Sequence, residues 1–280
     1  IQIAMIEKEH IKEYNKNGVV VIKSILDRSL LEDIKLEVQN IFVKAFLKNN
    51  ILFDLKDENS FNMAIYKLFE ISFNDFLGCA KAAQHILNMS NFASSSIIKE
   101  ILNKLGLEHP LICVKPIVFF NSRHLAKEEA HFKTPAHQDW RSMQGSLNSI
   151  VLWIPLIDIN SELGPVEFIK KSHLNGLKKT ENGNLFQNIK IDKNLEKKFV
   201  SIPVEKGDLV IFSSFTIHRS GNNISEGIRW SMHFRYNDLN ENSFIERGFP
   251  HPYKVYHPQK DLIHKEFPNL IQLKNTFNDK

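Results

Sequence analysis

The second half of the chain is a series of short apolar runs separated by turn residues, and this feature limits the possible folds most. The runs are rich in β-branched and aromatic side chains, which favour strands. They lie at Leu111–Asn121, Ile150–Leu156, Pro165–Ile169, Phe199–Val204, Leu209–Phe212 and Ile228–Tyr236. We therefore expect a β-core over about 111–240, with an edge or bulge at Pro116 because proline cannot donate to a sheet.

The first part of the chain, about residues 1–110, has helical periodicity instead. The predicted helices cover residues 6–16, 29–48 and much of 61–105, with a buried strand at 19–22. Asp27 is placed to cap the second helix, since an aspartate side chain accepts hydrogen bonds from free helical N–H groups. After residue 241 repeated prolines exclude long helices. We predict one domain over 1–280, with helical elaboration, β-core and an irregular C-terminal extension at 241–280.

Composition is ordinary for a globular protein and excludes few functions. The chain has 280 residues, of which 24% are charged and 42% hydrophobic, with a formal net charge of +4. This charge is small and scattered, so we expect no nucleic-acid partner. The unusual count is 21 phenylalanines, which predicts a core with extensive aromatic packing.

Cysteine usage and the lack of long apolar runs bear on location. Cys79 and Cys113 do not form a paired metal-binding spacing, and two cysteines do not make a disulfide framework. No run approaches the ~18 apolar residues of a membrane span, and Ile1–Met5 lacks the charged start and apolar core of a signal peptide. We expect a cytoplasmic protein without a membrane partner, as a monomer or homodimer.

His137 and Asp139, within Thr134–Trp140, are the strongest candidates for chemistry. On a strand, residues two apart point to the same side, so both side chains can reach one point. Imidazole and carboxylate suit a borderline divalent metal such as iron, and His218 is the best candidate for a second histidine. Such a set leaves three positions open for a chelating co-substrate and oxygen, as in non-haem Fe(II) oxygenases. The alternative is three unrelated polar residues.

An ordered set of features follows this pair and favours the metal interpretation. The set is Trp153, Gly164-Pro165, Gly207-Asp208, His218-x-Ser220 and Arg229. With it, the chain resembles the phytanoyl-CoA dioxygenase family of Fe(II)/2-oxoglutarate oxygenases, most clearly over about 134–236. The resemblance implies a mainly β fold with flanking α-helices, namely a double-stranded β-helix (jelly-roll, cupin-like) oxygenase core. It also implies Fe(II), 2-oxoglutarate and O2, with C–H hydroxylation and release of succinate and CO2.

The resemblance also suggests which residues bind 2-oxoglutarate. In the family, an arginine at the position of Arg229 holds the distal carboxylate, and a guanidinium can pair with a carboxylate through two hydrogen bonds. Ser220 can add a hydroxyl from the same face. Trp153 matches a position that lines the co-substrate pocket, although a core tryptophan fits nearly as well. Lys115 and Asn121, on the strand before the metal strand, are weaker candidates for this pocket.

Basic residues in the segments expected to ring the metal suggest the substrate. These residues are Arg123, Lys133, Arg141 and Arg235. If the metal strand continues past Asp139, alternation places Arg141 on the metal-facing side. A guanidinium there needs an anion, which could be a substrate carboxylate or phosphate, or the loop pair Glu128-Glu129. We therefore predict a small, polar, anionic metabolite whose identity the sequence does not specify.

Other functions remain open at this point. A cupin-like small-molecule binding protein would keep the barrel without the chemistry, and a metal-dependent isomerase on a similar barrel would not need Arg229. Halogenases of this kind carry a small residue where Asp139 stands, so hydroxylation is favoured over halogenation. Desaturation, epimerisation and ring formation also occur in the family. We expect structural roles for His173, Asp208 and His233.

Overall fold

A computed structural model describes residues 6–126, 133–182 and 187–250 of the chain. The helices in this part are α1 (Lys8–Asn17), α2 (Arg28–Lys48), α3 (Glu58–Ile71), α4 (Phe73–Ala82), α5 (Leu87–Ala93), α6 (Ser96–Lys104), α7 (Trp140–Met143), α8 (Lys193–Glu196) and α9 (Asn242–Glu246). The strands are β1 (Val19–Ile22), β2 (Pro110–Asn121), β3 (Ile150–Pro155), β4 (Val166–Ile169), β5 (Thr180–Asn182), β6 (Gln187–Ile189), β7 (Phe199–Ser201), β8 (Leu209–Ser213), β9 (His218–Ser220) and β10 (Arg229–Asp238). Within these described ranges, each helix is too short or too polar to cross a membrane.

Local sequence explains several helix ends. Gly18 follows α1 at φ 74°, a left-handed conformation that glycine adopts without a Cβ penalty. Asp27 accepts a hydrogen bond from the Ser29 N–H at 2.8 Å and caps α2, as predicted. Gly78 lies inside α4 and does not end this helix. A glycine costs a helix about 1 kcal/mol, and burial of the neighbouring Phe76 and Cys79 offsets such a penalty.

Two antiparallel sheets form the body of the fold. The larger sheet has the order β1-β8-β3-β10-β2, and the smaller has β7-β4-β9. Phe168 of the small sheet and Phe212 of the large sheet pack edge to face with ring centroids 5.0 Å apart, so the sheets face each other. The polar stretch 175–195 contains a hairpin, β5-β6, which was not among the runs predicted as strands.

The two faces of the large sheet have different neighbours, and this separation positions the site. On β10 the outward side chains join the main core with the N-terminal helices, and they are Trp230, Met232, Phe234 and Tyr236. Phenylalanines of α2, α3 and α4 extend this core, as the predicted aromatic packing requires. The alternate residues of β10 face the small sheet, and they are Arg229, Ser231, His233 and Arg235.

Strand β2 contains a bulge at Pro116, as the sequence predicts. Ile117 pairs with His233, but the next pair joins Val114 to Arg235, so Pro116 lies in an irregular stretch of the ladder. Proline lacks an N–H for the ladder, and the mismatch in residue count accommodates it. Alternation of side chains along β2 therefore stops at this point.

We expect Gly145→Ala to destabilise the fold by about 1–3 kcal/mol, the usual cost of overpacking. An added Cβ would collide with the Asn237 side chain, which is buried and accepts a hydrogen bond from the Ser146 N–H at 3.2 Å. Gly78→Ala is the matched control, since its Cβ would meet nothing within 4 Å and alanine favours a helix. Urea denaturation of both variants should give opposite signs, and equal effects would contradict this account of Gly145.

Candidate metal and co-substrate site

His137, Asp139 and His218 lie together between the two sheets. One ligand atom from each lies within 4.8 Å of the others. The distance from His137 Nε2 to Asp139 Oδ1 is 3.5 Å, and from His218 Nε2 to Asp139 Oδ2 it is 3.9 Å. The ring centroids of the two histidines are 4.2 Å apart. The three residues singled out in the sequence thus form a compact donor set of two imidazoles and one carboxylate.

Main-chain pairing sets the spacing of the two histidines. His137 and His218 exchange two backbone hydrogen bonds at 3.0 and 3.1 Å, so the segment before α7 lies beside β9. The Ser220 N–H extends this pairing by donating to the Thr134 carbonyl at 3.0 Å. Two neighbouring stretches of backbone therefore present the two imidazoles side by side.

Asp139 reaches the site differently from the prediction. It has helical dihedrals, φ −63° and ψ −26°, and its carbonyl accepts from the Ser142 and Met143 N–H groups. The predicted strand through Asp139 is therefore wrong, and a helical turn brings the carboxylate to the histidines. Four residues of α7 are too few to show helical periodicity in the sequence.

Hydrogen bonds fix the ring orientation of both histidines. His137 Nδ1 lies 2.7 Å from the Pro135 carbonyl, and His218 Nδ1 lies 2.9 Å from the Thr216 carbonyl. Only a protonated Nδ1 can donate to a carbonyl, so the neutral tautomer that makes this bond carries its lone pair on Nε2. Burial lowers the pKa of His218 to about 3, so its imidazole is neutral. Neutral rings with free Nε2 lone pairs are what a metal ligand requires.

Asp139 is ionised although it is buried. Burial by itself raises the pKa of Asp139, but the Arg235 guanidinium outweighs it and holds this pKa well below its usual range. The carboxylate is therefore a charged oxygen donor at neutral pH. The donor set carries one negative charge and suits a divalent cation.

Gln138, between two of these residues, faces away from them. Its Nε2 donates to the carbonyls of Gly176 and Phe215 at 2.9 and 2.7 Å. Its Oε1 accepts from the Lys178 N–H at 2.9 Å. This buried amide ties the segment carrying His137 to two other segments of the chain.

Arg229 is a buried cation without an acidic partner in the described part of the chain. Its Nη1 donates to the Gly164 carbonyl, and its Nη2 donates to Ser220 Oγ at 3.1 Å. Its Nε is buried and has no hydrogen-bond partner there. Burial lowers the pKa of Arg229 to about 10, which still leaves it charged at neutral pH. A buried guanidinium with an unused donor fits a carboxylate ligand.

The weaker candidates for co-substrate binding lie in different parts of the structure. Trp153 is buried on the inner face of β3, 6.2 Å from His233 between ring centroids. Asn121 pairs in register with Arg229, so it lies at the same end of the sheet. Lys115 is not brought to the site. It lies in the irregular stretch of β2, is exposed, and its Nζ is 3.2 Å from His85 Nε2 of the helical layer.

Two of the four basic residues proposed to meet substrate already pair with protein carboxylates. Arg235 donates to both oxygens of Asp139, from Nε at 3.1 Å and Nη2 at 3.2 Å. Arg123 is exposed and pairs with Glu226. The sequence could not show either pair, because the partners are about a hundred residues apart.

The other two basic residues have different surroundings. Arg141 lies in α7, so the strand argument that pointed it at the metal is wrong. Its Nη2 donates to the Lys178 carbonyl, while its Nε is buried with no hydrogen-bond partner among the described residues. Lys133 lies near Glu196 and, after Arg219, helps to lower the pKa of that carboxyl. Glu128 and Glu129, the alternative partners of Arg141, lie outside the described residues.

The expected structural residues have clear contacts. Asp208 accepts from Lys23 Nζ at 2.7 Å and from the N–H groups of Ser24 and Glu205, which fixes the turn before β8. His173 Nε2 lies 3.0 Å from the Asn15 carbonyl. His233 is on the inner face of β10 against Phe119, with ring centroids 4.8 Å apart. Its Nε2 lies 3.4 Å from Ser231 Oγ on the same face of β10 as Arg235, the face on which the sequence also allowed it to lie near the site.

Two facing antiparallel sheets, with a buried His-Asp-His donor set between them, define the double-stranded β-helix class of cupin-like proteins. The chain belongs to the phytanoyl-CoA dioxygenase (PhyH) family, whose sequence pattern matches residues 14–231. The predicted family resemblance and fold class are thereby confirmed.

Known relatives agree with this assignment. The chain is 27% identical over 148 residues to 1-deoxypentalenic acid 11-beta-hydroxylases from Streptomyces exfoliatus and Streptomyces arenae, over 49% of this chain and 52% of each relative. The chain thus spans about half the length of the curated relatives it matches.

Solved structures share the fold at low sequence identity. The epimerase SnoN, in complex with Fe3+, alpha ketoglutarate and nogalamycin RO, is 18% identical with a TM-score of 0.55, covering 82% of this chain and 83% of SnoN. The carbocyclase SnoK is 17% identical with a TM-score of 0.55, covering 90% and 94%. EctD from S. alaskensis with bound Fe is 13% identical with a TM-score of 0.55, covering 86% and 80%.

Proposed function

We propose that this chain is an Fe(II)- and 2-oxoglutarate-dependent oxygenase that hydroxylates an unactivated C–H bond of a small molecule. The observation that carries the proposal is the combination of two features in one interior. A donor set of two histidines and one carboxylate suits iron, and Arg229 is a buried cation with no acidic partner among the described residues. Bound 2-oxoglutarate would supply the missing negative charge.

Each residue then has a defined task. His137 Nε2, His218 Nε2 and Asp139 would hold the iron, and their Nδ1 bonds to carbonyls keep the two rings in place. Arg229 and Ser220 would hold the distal carboxylate of 2-oxoglutarate, with Trp153 and Asn121 as neighbours. The bound iron and 2-oxoglutarate supply the oxidation, in which O2 is consumed and succinate and CO2 are released.

Other activities on this fold predict different results. SnoN is described as an epimerase and SnoK as a carbocyclase, so a similar fold serves several outcomes. Hydroxylation is favoured by the hydroxylase relatives. The test is succinate formation and O2 uptake that require 2-oxoglutarate, with a product that gains one oxygen atom. A cupin-like binding protein or a metal-dependent isomerase would consume neither O2 nor 2-oxoglutarate.

We propose in addition that the substrate is a small, polar, anionic metabolite. Support now comes mainly from Arg141, whose Nε is buried and without a hydrogen-bond partner in the described part of the chain. Arg235 and Arg123 support it less than the sequence suggested, because both already pair with carboxylates. A charged hydrogen-bond donor beside the metal segment favours a ligand with a carboxylate or phosphate.

We expect Arg141→Ala to raise the KM for acidic substrates roughly ten- to a hundredfold, since a hydrogen bond to a charged group contributes about 1.5–3 kcal/mol. Substrates would be found by screening metabolites for succinate release. Arg123→Ala is the matched control, because Arg123 is exposed and bound to Glu226, and it should leave KM unchanged. Hits only among neutral apolar compounds, or an unchanged KM in Arg141→Ala, would refute the anionic substrate.

The remaining features of the proposal concern the whole protein. We propose a single domain and a cytoplasmic enzyme, monomeric or homodimeric, without nucleic-acid or membrane partners. Both cysteines are free thiols and buried, which fits a reducing compartment. Size-exclusion chromatography with light scattering measures the oligomeric state directly.

A further inference from the structure

Arg235 contacts the metal-ligand candidate Asp139 through both carboxylate oxygens. Its Nε lies 3.1 Å from Oδ2 and its Nη2 lies 3.2 Å from Oδ1. The Arg235 side chain is 11% exposed and that of Asp139 is 4% exposed, so the pair is largely shielded from water. A guanidinium fork of this kind fixes the plane of the carboxylate as well as its charge.

The carboxylate plane matters because a carboxylate can bind a metal through one oxygen or two. A six-coordinate iron with two imidazoles and one carboxylate oxygen has three positions left. A chelating co-substrate and O2 together need all three. If Asp139 used both oxygens, one of these positions would be lost.

We propose that Arg235 is a positioning residue that covers the side of the Asp139 carboxylate between its two oxygens. A metal that chelates both oxygens would need that same side, so Asp139 is left to bind iron through one oxygen only. The inference rests on the proposed function. It also changes the predicted role of Arg235, which the sequence assigned to the substrate. Arg235 acts through Asp139, as hydrogen-bonding partners of metal ligands commonly do.

The position of Arg235 in the sheet suits this role. It lies on β10, which has a partner strand on each side, and it pairs with Val151 of β3 and Val114 of β2. Asp139 lies at the start of the short helix α7, whose own backbone bonds are few. Arg235, on the well-paired strand β10, thus holds Asp139, which lies on the less regular α7.

The two possible roles of Arg235, neutralising Asp139 or orienting it, predict opposite changes in metal affinity when Arg235 is replaced. A cation close to a metal repels it, so a guanidinium that only neutralised Asp139 would weaken metal binding, and its removal would tighten it. A guanidinium that orients Asp139 would strengthen binding, and its removal would weaken it. The sign of the change therefore distinguishes the two.

The test compares Arg235→Gln and Arg235→Lys with the control Arg219→Gln. Arg219 lies beside His218 but points outward and pairs with Glu167 and Glu196, so its removal also deletes one positive charge. Calorimetric titration with Co(II), then anaerobically with Fe(II), gives metal Kd values. Titration of the iron-loaded proteins with 2-oxoglutarate, followed by visible absorption, gives the affinity for the chelating co-substrate.

We expect Arg235→Gln to weaken metal binding 10- to 100-fold, the usual effect of losing a hydrogen-bonding partner of a ligand. Arg235→Lys should have an intermediate effect, since an ammonium keeps the charge without the fork. Co-substrate affinity should also fall in both variants, and Arg219→Gln should match the wild type. Unchanged or tighter metal binding in Arg235→Gln would overturn the inference. If Arg235→Gln fails to fold, Arg235→Lys decides by the same criterion, and wild-type protein that binds neither metal nor 2-oxoglutarate would instead refute the proposed function.

Discussion

Replacement of Asp139 by alanine is expected to abolish iron binding and 2-oxoglutarate-dependent turnover, with the fold retained. Asp139 is the charged member of the donor set, and both histidine Nε2 atoms face it. The loss of iron affinity and activity should exceed the ~10–100-fold loss that follows replacement of a hydrogen-bonding partner of a metal ligand. His137→Ala and His218→Ala should have the same effect. Iron content after anaerobic reconstitution and succinate formation measure the two losses.

A second buried carboxylate provides the control for this experiment. Asp238 accepts from the N–H groups of Glu108 and His109 at 3.1 and 2.9 Å, so its role is structural. Asp238→Ala should lower the thermal midpoint but keep iron binding. Asp139→Ala should also lower the midpoint, because Arg235 loses a buried partner. Full hydroxylase activity in Asp139→Ala would contradict the assignment of the three ligands.

The second large effect is expected at Arg229. Arg229→Ala should weaken 2-oxoglutarate binding by about thirtyfold or more, because losing one half of a buried charge pair costs on the order of 2–5 kcal/mol. Much of this cost comes from leaving the co-substrate carboxylate buried without its cation. Anaerobic calorimetry with iron-loaded protein and 2-oxoglutarate gives the affinity.

Measurement of metal affinity distinguishes Arg229→Ala from Asp139→Ala. Arg229→Ala should keep the wild-type affinity for iron, since Arg229 contacts Gly164 and Ser220 and no member of the donor set. Ser220→Ala is a graded companion and should weaken 2-oxoglutarate only a few-fold, as a single neutral hydrogen bond contributes about 0.5–1.5 kcal/mol. Equal 2-oxoglutarate affinity in wild type and Arg229→Ala would show that the anchor lies elsewhere.

The sequence predicts most strands because β-branched and aromatic residues mark them directly. The run Leu209–Phe212 becomes β8 and the run at 228–236 becomes β10, with only small changes at their ends. Asp27 is likewise a local signal, and it caps α2 as predicted. Such features depend on neighbouring residues alone, so they need no knowledge of the tertiary fold.

The site is predicted less completely because it depends on distant contacts. The backbone becomes helical at Asp139. The N–H of the next residue, Trp140, donates a hydrogen bond to the carbonyl of Ser214, about seventy residues away. The partner of Arg235 is 96 residues distant in sequence. Counting basic residues near the metal therefore overestimates the charge available to a substrate. Lys115 fails for a different reason, since a bulge changes the direction of side chains along β2.

The two-sided arrangement of β10 has a consequence for how this protein can diversify. Its even-numbered residues from Trp230 to Tyr236 hold the helical layer, and its odd-numbered residues from Arg229 to Arg235 face the reactive interior. Substitution at Ser231 or His233 can therefore alter selectivity while the architecture of the domain stays intact. Insertion or deletion of one residue would exchange the two sets, placing charged groups among phenylalanines and tryptophan beside the three proposed metal ligands. Point substitutions in this strand can therefore change the site without changing the fold, whereas a change in strand length would disrupt both.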